Sequence, residues 1–300
     1  MIKLSAEVEA ALNEKRAVVA LESTVIAHGL PRPENLRTAQ RLEEVVREGG
    51  ATPATIAILK GQLCVGLEAD ELRHLAESDH ILKVSRRDLP VVVARGLDGA
   101  TTVATTMWIA ERAGLSVFST GGIGGIHRGV LPDVSADLPE LARAGGMTVV
   151  CSGAKIVLDL PATREWLETH GITVVGYGCD ELPAFYSRRS GLPVDVRADS
   201  AEEVAQLIHA RRRLKLEGAT LLAVPVPEEA EVPAELLQSA LDEALTEAER
   251  KEIGGRELTP FLLSRMAAGS GGATLRANIA LLANNARVAA EVARALSSST

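Results

Sequence analysis

The amino-acid sequence predicts an α/β layered sandwich with a largely parallel sheet. Short apolar runs alternate along the chain with longer segments of helical periodicity, and this alternation is typical of strands joined by crossover helices. The 300 residues suffice for one large domain, and no low-complexity linker divides them. We therefore expect a single domain over residues 1–300.

The predicted strands are short, continuous apolar runs. Strands of a parallel sheet are covered by helices on both faces, so their sequences are apolar throughout rather than alternating. The predicted strands are residues 17–21, 55–59, 91–94, 115–119, 147–151, 172–177 and 220–224.

The predicted helices have apolar residues that recur with a period of about 3.6 residues. In residues 34–47, for example, Leu36, Ala39 and Leu42 follow this spacing. The proline-rich segment 225–233 is expected to form a surface loop, and the helices after it to pack on a face of the sheet. The predicted helices are residues 34–47, 100–113, 161–170, 201–214, 234–250 and 274–296.

Composition and charge exclude several classes of protein. The net charge is −8 at pH 7, from 32 Lys and Arg against 40 Asp and Glu, so we expect no nucleic-acid groove. The cysteines Cys64, Cys151 and Cys179 lack a C-x-x-C pair, which argues against a zinc site or a disulfide framework and favours a cytoplasmic location. No apolar run reaches the roughly 18 residues of a membrane span, and the acidic residues within 1–15 argue against a signal peptide.

Two charged residues lie next to apolar runs that are predicted to be strands. An α/β sheet binds its ligands beyond the carboxyl ends of its strands, so these residues are candidates for a site. Glu22 directly follows residues 17–21. In a pocket its pKa would be raised and it could act as a general acid, whereas at a simple strand end it would be solvated. Lys155 lies between two apolar runs, where a neutral amine could attack a carbonyl and form a Schiff base. The alternatives for Lys155 are a lysine that snorkels to solvent and a structural ion pair, with Asp159 as the candidate partner.

Two further segments could hold a phosphate or a carboxylate. Residues 83–88 supply a lysine, a serine and two arginines as donors, although a solvated turn ion-paired to Asp88 would have the same composition. The glycines of 120–129 let backbone N–H groups converge on a ligand. This loop lacks both the lysine of a P-loop and the third glycine of a dinucleotide fingerprint, so it predicts neither ATP nor NAD binding. His127 is either a base or hydrogen-bond donor here, or has no role in function.

Two acidic residues and two asparagines complete the candidates. Asp133 and Asp137 could hold a hard divalent ion such as Mg²⁺ or Mn²⁺ through few protein ligands and several waters. Alternatively, Asp137 only caps the helix that starts after it. Asn278 and Asn285 share one helix face, where their amides could read the edge of a base or satisfy buried backbone groups.

Taken in order, these segments resemble the pseudouridine-5′-phosphate glycosidase family, which includes relatives called indigoidine synthase A-like. The resemblance covers about residues 5–295. Its carriers are ALESTVIAHG at 20–29, ATPATIAI at 51–58, KVSRRDLP at 83–90, GATTVA at 99–104, TGGIGGIHRG at 120–129, DVSADL at 133–138, CSGAK at 151–155, TPFLL at 259–263, and ANIAL with NNA within 277–286.

The resemblance implies a three-layer α/β/α sandwich around a mixed, largely parallel sheet, usually assembled as a homotrimer, and a divalent metal, typically Mn²⁺. It implies reversible cleavage of the C–C glycosidic bond of pseudouridine 5′-phosphate to uracil and ribose 5-phosphate. By motif, Lys155 is the amine that bonds C1 of the ring-opened sugar, Glu22 is the proton donor and Asp133 is the metal ligand. The residues implied to contact the substrate are Lys83, Val103, Ser135, Ala136 and Asp137, mainly around the ribose phosphate, and Thr120, His127 and Asn278 around the base.

The same lysine chemistry permits a second function, that of a biosynthetic C-glycoside synthase. Such an enzyme would join ribose 5-phosphate to another aromatic or heterocyclic acceptor. A third possibility, a non-catalytic sugar-phosphate binder, predicts the loss of Lys155 or Glu22, and both are present.

The sequence departs from the family pattern at three places. Segment 129–132 is shorter than expected, and Ala268 and Ser270 stand where Glu and Thr are common. Lys60 and Cys64 also occupy positions where other residues are expected. The short segment lies near the predicted metal ligand and the base side, so it bears on the identity of the substrate more than on the mechanism.

Overall fold

A mixed β-sheet forms the centre of the protein in a computed structural model that describes residues 2–128, 133–255 and 258–298. The strands are β1 (Ile2–Leu4), β2 (Val18–Leu21), β3 (Thr52–Leu59), β4 (Gln62–Val65), β5 (Leu82–Val84), β6 (Gly99–Thr101), β7 (Val117–Ser119), β8 (Ile126–His127), β9 (Thr148–Cys151), β10 (Leu158–Asp159), β11 (Thr173–Tyr177), β12 (Val196–Ala198) and β13 (Thr220–Ala223).

Eleven of these described strands form the sheet, in the order β1-β4-β3-β2-β7-β9-β13-β11-β12, with β6 and then β5 branching from β3. From β3 to β12 all neighbours are parallel, whereas β4 and β6 run antiparallel to β3. Strands β8 and β10 form a separate antiparallel pair. The sheet is therefore mixed and largely parallel, as predicted.

Helices follow most of the strands. They are α1 (Ala6–Asn13), α2 (Glu34–Glu48), α3 (Ala69–Glu77), α4 (Leu89–Ala94), α5 (Val103–Arg112), α6 (Asp137–Arg143), α7 (Leu160–Thr169), α8 (Ala201–Leu214), α9 (Ala234–Arg250), α10 (Leu258–Gly269) and α11 (Ala273–Ser298). None of the helices in the described part of the chain combines the length and apolarity that crossing a bilayer requires.

The direction of the strand connections places the helices in two layers. A helix that joins parallel strands almost always makes a right-handed crossover, so the direction of the step along the sheet decides which face it covers. The steps through α2 and α8 run one way along the sheet, and those through α6 and α7 run the other way. The contacts agree, since α11 packs on α2 and α8, whereas α6 packs on α5 and α7. The predicted three-layer α/β/α sandwich is confirmed.

The structure confirms most of the predicted strands and helices and contradicts one. The helix predicted at 34–47 is α2, but residues 91–94 belong to helix α4 rather than to a strand. Pro90 lies in the first turn of α4, where a missing N–H costs nothing. Only Leu89 and Val92 are buried, one helical turn apart, so the run of valines does not form a strand covered on both faces.

Several elements are shorter than predicted or were not predicted. The helix expected over 100–113 begins at Val103, because β6 takes the first residues of that segment and Thr102 stands at the helix N-cap position. Strands β1, β4, β5, β8, β10 and β12 and helices α1, α3 and α10 were not predicted, and only the start of α6 was. The shortest of these elements span too few residues to display a clear periodicity.

Helix α11 ties the carboxyl ends of the central strands together. The Asn285 side chain on this helix is fully buried, and its amide nitrogen donates to the carbonyl oxygens of Thr120 at 2.9 Å and Gly121 at 3.4 Å. Its amide oxygen lies 3.3 Å from the Ser152 hydroxyl oxygen. Thr120 follows β7 and Ser152 follows β9, so one amide joins two strand ends. For Asn285, the alternative of satisfying buried backbone groups is confirmed.

We expect Asn285→Leu to lower the free energy of unfolding by about 1–3 kcal/mol, because buried carbonyl groups lose a donor that water cannot replace. Urea unfolding followed by circular dichroism measures the change. The control is Asn284→Leu, at a half-buried position whose amide donates to the Pro225 carbonyl; it should cost less than about 1 kcal/mol. Equal losses in the two variants would contradict a special role for the buried amide.

Candidate active site

A cavity of about 300 Å³ opens beyond the carboxyl ends of the central strands. This is where a parallel α/β sheet places its ligands. The predicted site residues that line it are Glu22, Lys83, Val103, His127, Asp133, Ser135, Ala136, Asp137, Lys155 and Asn278. The fold thus brings together residues from widely separated parts of the sequence.

The Lys155 side chain is half-buried and reaches the glycine loop, residues 120–129. Its Nζ donates to the carbonyl oxygen of Gly122 at 2.7 Å, and its backbone N–H donates to the carbonyl oxygen of Ile123 at 3.1 Å. Asp159 does not pair with it, because the Asp159 carboxylate accepts the N–H of Ala162 and caps α7. The alternative of a structural ion pair with Asp159 is therefore wrong.

Close packing explains the glycines around Lys155. Gly153 has φ +76°, and a Cβ atom there would lie 2.0 Å from the carbonyl oxygen of Pro183. A Cβ atom at Gly124 would lie 2.2 Å from the hydroxyl oxygen of Ser135. Any side chain at either position would therefore separate segments that now touch.

Glu22 follows β2 and faces the cavity beside Thr120. The Thr120 hydroxyl, itself buried, donates to Glu22 Oε1 at 2.5 Å. Burial raises the pKa of Glu22, and the charge of Lys155 and the bond from Thr120 offset part of this effect. The carboxyl group thus keeps its proton to a higher pH than a solvated glutamate does. The alternative of a solvated strand end is wrong.

His127 lies on β8 at the edge of the cavity. Burial lowers the pKa of His127, and the nearby charges of Lys155 and Lys83 lower it further, while Asp133 acts in the opposite direction. A neutral imidazole can accept a hydrogen bond at one ring nitrogen and donate one at the other. His127 is therefore suited to recognising a polar, uncharged group.

Asp137 joins the amino end of α5 to the glycine loop. One carboxylate oxygen accepts the backbone N–H of Ala104 at 2.9 Å, and the other accepts that of Gly124 at 2.8 Å. The alternative that Asp137 caps α6 is wrong, since the helix begins at Asp137 itself and has no side-chain cap. Its predicted contact with the substrate stays a prediction.

The basic turn at 83–88 forms another wall of the cavity. The Asp88 carboxylate accepts the N–H of Ser85, and together they form a reciprocal capping box. Arg86 pairs with the buried Glu140 at 2.8 Å. Arg87 lines the cavity and lies 3.8 Å from Asp88, so the predicted ion pair with Asp88 exists only as a long, exposed contact. Lys83 and Arg87 give this wall its positive charge.

A divalent metal would have few protein ligands here. Among residues 2–128, 133–255 and 258–298, no three His, Cys, Asp or Glu side chains surround a common point. The carboxylate oxygens of Asp137 are engaged with backbone N–H groups, whereas Asp133 is exposed at the cavity. One free carboxylate fits a hard ion that keeps most of its water and binds substrate oxygens. The described cysteines are free thiols and do not line the cavity.

The structure adds lining residues that the sequence reasoning did not assign. His28 and Thr259 lie within motifs that carry the family resemblance, so the resemblance contained a signal for both. Phe185 had no such signal. Thr120 is the one predicted residue that does not line the cavity, because its hydroxyl is turned to Glu22.

A family model described as "Indigoidine synthase A like protein" matches residues 7–295. The chain belongs to the indigoidine synthase A-like family. Relatives named pseudouridine-5′-phosphate glycosidase include one from Geobacillus kaustophilus, which is 53% identical over 98% of each chain. The relative of that name from Escherichia coli K12 is 50% identical, over 98% of this chain and 95% of its own.

Solved structures of this family have the same fold. The prealnumycin C-glycosynthase AlnA, in complex with ribulose 5-phosphate, matches with a TM-score of 0.91 and 41% identity, over 100% of this chain and 98% of its own. An indigoidine synthase A-like protein from Thermotoga maritima matches with a TM-score of 0.90 and 38% identity, over 99% and 97% of the two chains.

The departures from the family pattern lie mostly away from the cavity. Lys60 forms the turn between β3 and β4, Cys64 is buried on β4, and Ala268 is exposed on α10. The Ser270 hydroxyl accepts the N–H of Thr274 at the start of α11. The shortened segment 129–132 lies outside the described residues.

We expect Thr120→Val to raise the pKa of Glu22 further, because the carboxylate loses the hydroxyl that stabilises its charged form. Thr120→Ser keeps the hydroxyl and should leave the pKa of Glu22 near the wild-type value. Carbon-13 NMR titration of labelled glutamate carboxyl groups measures this, with Glu22→Gln to assign the signal. An unchanged or lower pKa of Glu22 in Thr120→Val would contradict the role given to this hydroxyl.

Proposed function

We propose that this protein catalyses the reversible cleavage of the C–C glycosidic bond of pseudouridine 5′-phosphate, giving uracil and ribose 5-phosphate. The observation that carries the proposal is that Lys155 and Glu22 line one cavity, with Glu22 close enough for the charge of Lys155 to affect its pKa. Relatives with this name at about 50% identity over nearly the whole chain support the same reaction.

The reaction explains why the site needs an amine beside an acid. Most glycosidases protonate the glycosidic oxygen with one carboxyl group, but a C-glycoside has no such oxygen. An amine that bonds C1 of the opened sugar as an iminium supplies an electron-demanding carbon instead. Lys155 provides the amine, and Glu22, whose pKa burial raises, provides an acid that keeps its proton to a higher pH than a solvated carboxyl group does.

In the direction of synthesis, Lys155 Nζ attacks the aldehyde carbon of open-chain ribose 5-phosphate. The C–N bond forms, and the aldehyde oxygen leaves as water after Glu22 protonates it. Carbon 5 of uracil then attacks the iminium carbon and loses its proton to the Glu22 carboxylate. The sugar 4-hydroxyl oxygen finally bonds carbon 1 as the bond from carbon 1 to Lys155 Nζ breaks, which closes the ring, and the hydroxyl proton passes to the departing amine. Cleavage is the reverse, with Glu22 as the proton donor.

Different side chains of the cavity suit the two ends of this substrate. Lys83 and Arg87 supply positive charge for the phosphate, and Val103, in the first turn of α5, lines the same cavity. Ser135 and Ala136 adjoin this end. His127 and Asn278 supply polar groups for the uracil ring.

Mn²⁺, or Mg²⁺, forms part of this proposal, with Asp133 as its protein ligand. The ion would supply positive charge to oxygen atoms of the bound sugar phosphate. A homotrimer and a cytoplasmic location also belong to the proposal, and light scattering of the purified protein tests the trimer.

A second candidate function is the synthesis of a different C-glycoside by the same lysine chemistry. The observation that favours it is the match to the C-glycosynthase AlnA at 41% identity over almost the full length of both chains. The identity to relatives named glycosidase is higher, at 53% for the Geobacillus protein, so the glycosidase reaction is the preferred one.

We expect uracil, ribose 5-phosphate and Mn²⁺ to give pseudouridine 5′-phosphate when incubated with the protein, as followed by chromatography. Lys155→Ala should abolish product formation, and Glu22→Gln should lower kcat by roughly 10²–10⁴-fold. The same reaction without metal tests whether product formation needs the ion. Turnover with another acceptor but not with uracil would favour the synthase, and no turnover with any acceptor would contradict both functions.

We also expect borohydride to trap a reduced sugar on Lys155 when ribose 5-phosphate is present, because reduction converts an iminium to a stable amine. Peptide mass spectrometry locates the adduct. Lys155→Ala is the matched control. An equal amount of label in that variant would show that another amine reacts.

A further inference from the structure

We propose that the base-binding end of the active site extends into a second cavity, which takes an apolar substituent on a base larger than a single pyrimidine ring. This inference rests on the proposed function and deepens it. The second cavity has a volume of about 260 Å³ and adjoins the first, since His28, Leu263 and Asn278 line both.

Two helices lead from the first cavity to the second. On α11, Leu282 lines the first cavity, Asn278 lines both and Leu275 lines the second. These three residues lie on one face of the helix, so this face extends from one cavity to the other. On α10, Leu263 lines both cavities and Ala267, one turn later, lines only the second. The two spaces thus lie side by side along α10 and α11, and we treat them as one channel.

Two neighbouring aromatic residues divide the channel. Phe185 lines the first cavity and Tyr186 lines the second, and their ring centroids are 4.6 Å apart. Phe185 has φ +63°, a conformation that costs free energy for a bulky side chain and is held only by its surroundings. The backbone N–H of Phe185 donates to the Ser152 carbonyl, which anchors this turn to the end of β9.

One buried polar atom at the junction of the two cavities lacks a protein partner. His28 lines both cavities, and its Nε2 atom is buried and forms no hydrogen bond with any residue in the described ranges. Buried polar groups are nearly always hydrogen-bonded, so this exception calls for an explanation. A ligand that lies along the channel would give this nitrogen a partner.

Apolar residues form one part of the wall of the second cavity, beside the polar His28 and Ser264. Leu30, Pro31, Leu263, Leu275 and Ala267 contribute to its wall. The Asn278 amide, which offers a donor and an acceptor, suits the edge of a planar heteroaromatic ring at the junction. The apolar wall beyond suits a hydrocarbon or aryl group attached to that ring. The second cavity therefore offers space for a substituent that uracil itself lacks.

The test uses uracil and three uracils that carry a benzyl group at ring position 1, 3 or 6. Calorimetric titration of the full chain, with and without saturating ribose 5-phosphate, measures their dissociation constants. We expect at least one benzyluracil to bind roughly tenfold more tightly than uracil, because its phenyl ring leaves water for an apolar wall. Ala267→Met fills the second cavity and should remove this gain without changing the affinity for uracil.

Ala268→Met is the matched control, because Ala268 is the next residue on α10, is exposed and lines neither cavity. The Ala268→Met variant should still bind the benzyluracil more tightly than uracil. Ser264→Met, which narrows the same cavity from an exposed position, replaces Ala267→Met if the latter does not fold, as judged by circular dichroism.

The proposal is overturned if no benzyluracil binds more tightly than uracil in either condition, or if the gain survives the cavity-filling substitution. Conversion of uracil and ribose 5-phosphate by the wild-type protein is measured in parallel. Absence of that reaction contradicts the proposed function. If the reaction occurs but no benzyluracil binds more tightly than uracil, only the proposal for the second cavity is contradicted.

Discussion

The site depends above all on one backbone contact, the pairing of the glycine loop with the segment that carries Lys155. The N–H of Ile123 donates to the Gly153 carbonyl at 3.0 Å, and the N–H of Lys155 donates to the Ile123 carbonyl at 3.1 Å. The reactive side chain therefore starts at a fixed position relative to the ends of β7 and β9. Asn285 holds the same strand ends through its side-chain amide, so hydrogen bonds connect the loop, the lysine segment and α11.

The second constraint is electrostatic. Burial raises the pKa of Glu22, while the charge of Lys155 and the Thr120 hydroxyl act in the opposite direction. The protonation of the acid is therefore linked to the charge of the amine. At a stage of the reaction in which the amine is neutral, one influence that lowers the pKa of Glu22 is absent, and the carboxyl group holds its proton more firmly. The acid is thus most fully protonated when the amine is able to react.

Much of the fold and of the site could be predicted because the signals were local. Apolar runs marked the strands that are covered on both faces, and Glu22 and Lys155 adjoin such runs. The role of Thr120 could not be predicted, since its contact with Glu22 joins positions 98 residues apart on neighbouring strands. Residues 91–94 were predicted wrongly because β-branched residues favour a strand, whereas Pro90 suits the first turn of a helix. Phe185 was not predicted to line the cavity, because its backbone conformation is imposed by tertiary contacts.

The walls of the active site differ in how freely they can change during evolution. The glycine loop and the segment that carries Lys155 touch their neighbours so closely that a Cβ atom at Gly124 or Gly153 has no room. The opposite wall consists of side chains on α10 and α11, which can be exchanged without moving the backbone. A family built on this plan can diversify its choice of acceptor by ordinary point mutations on two helices, while the half that performs bond formation is inherited intact.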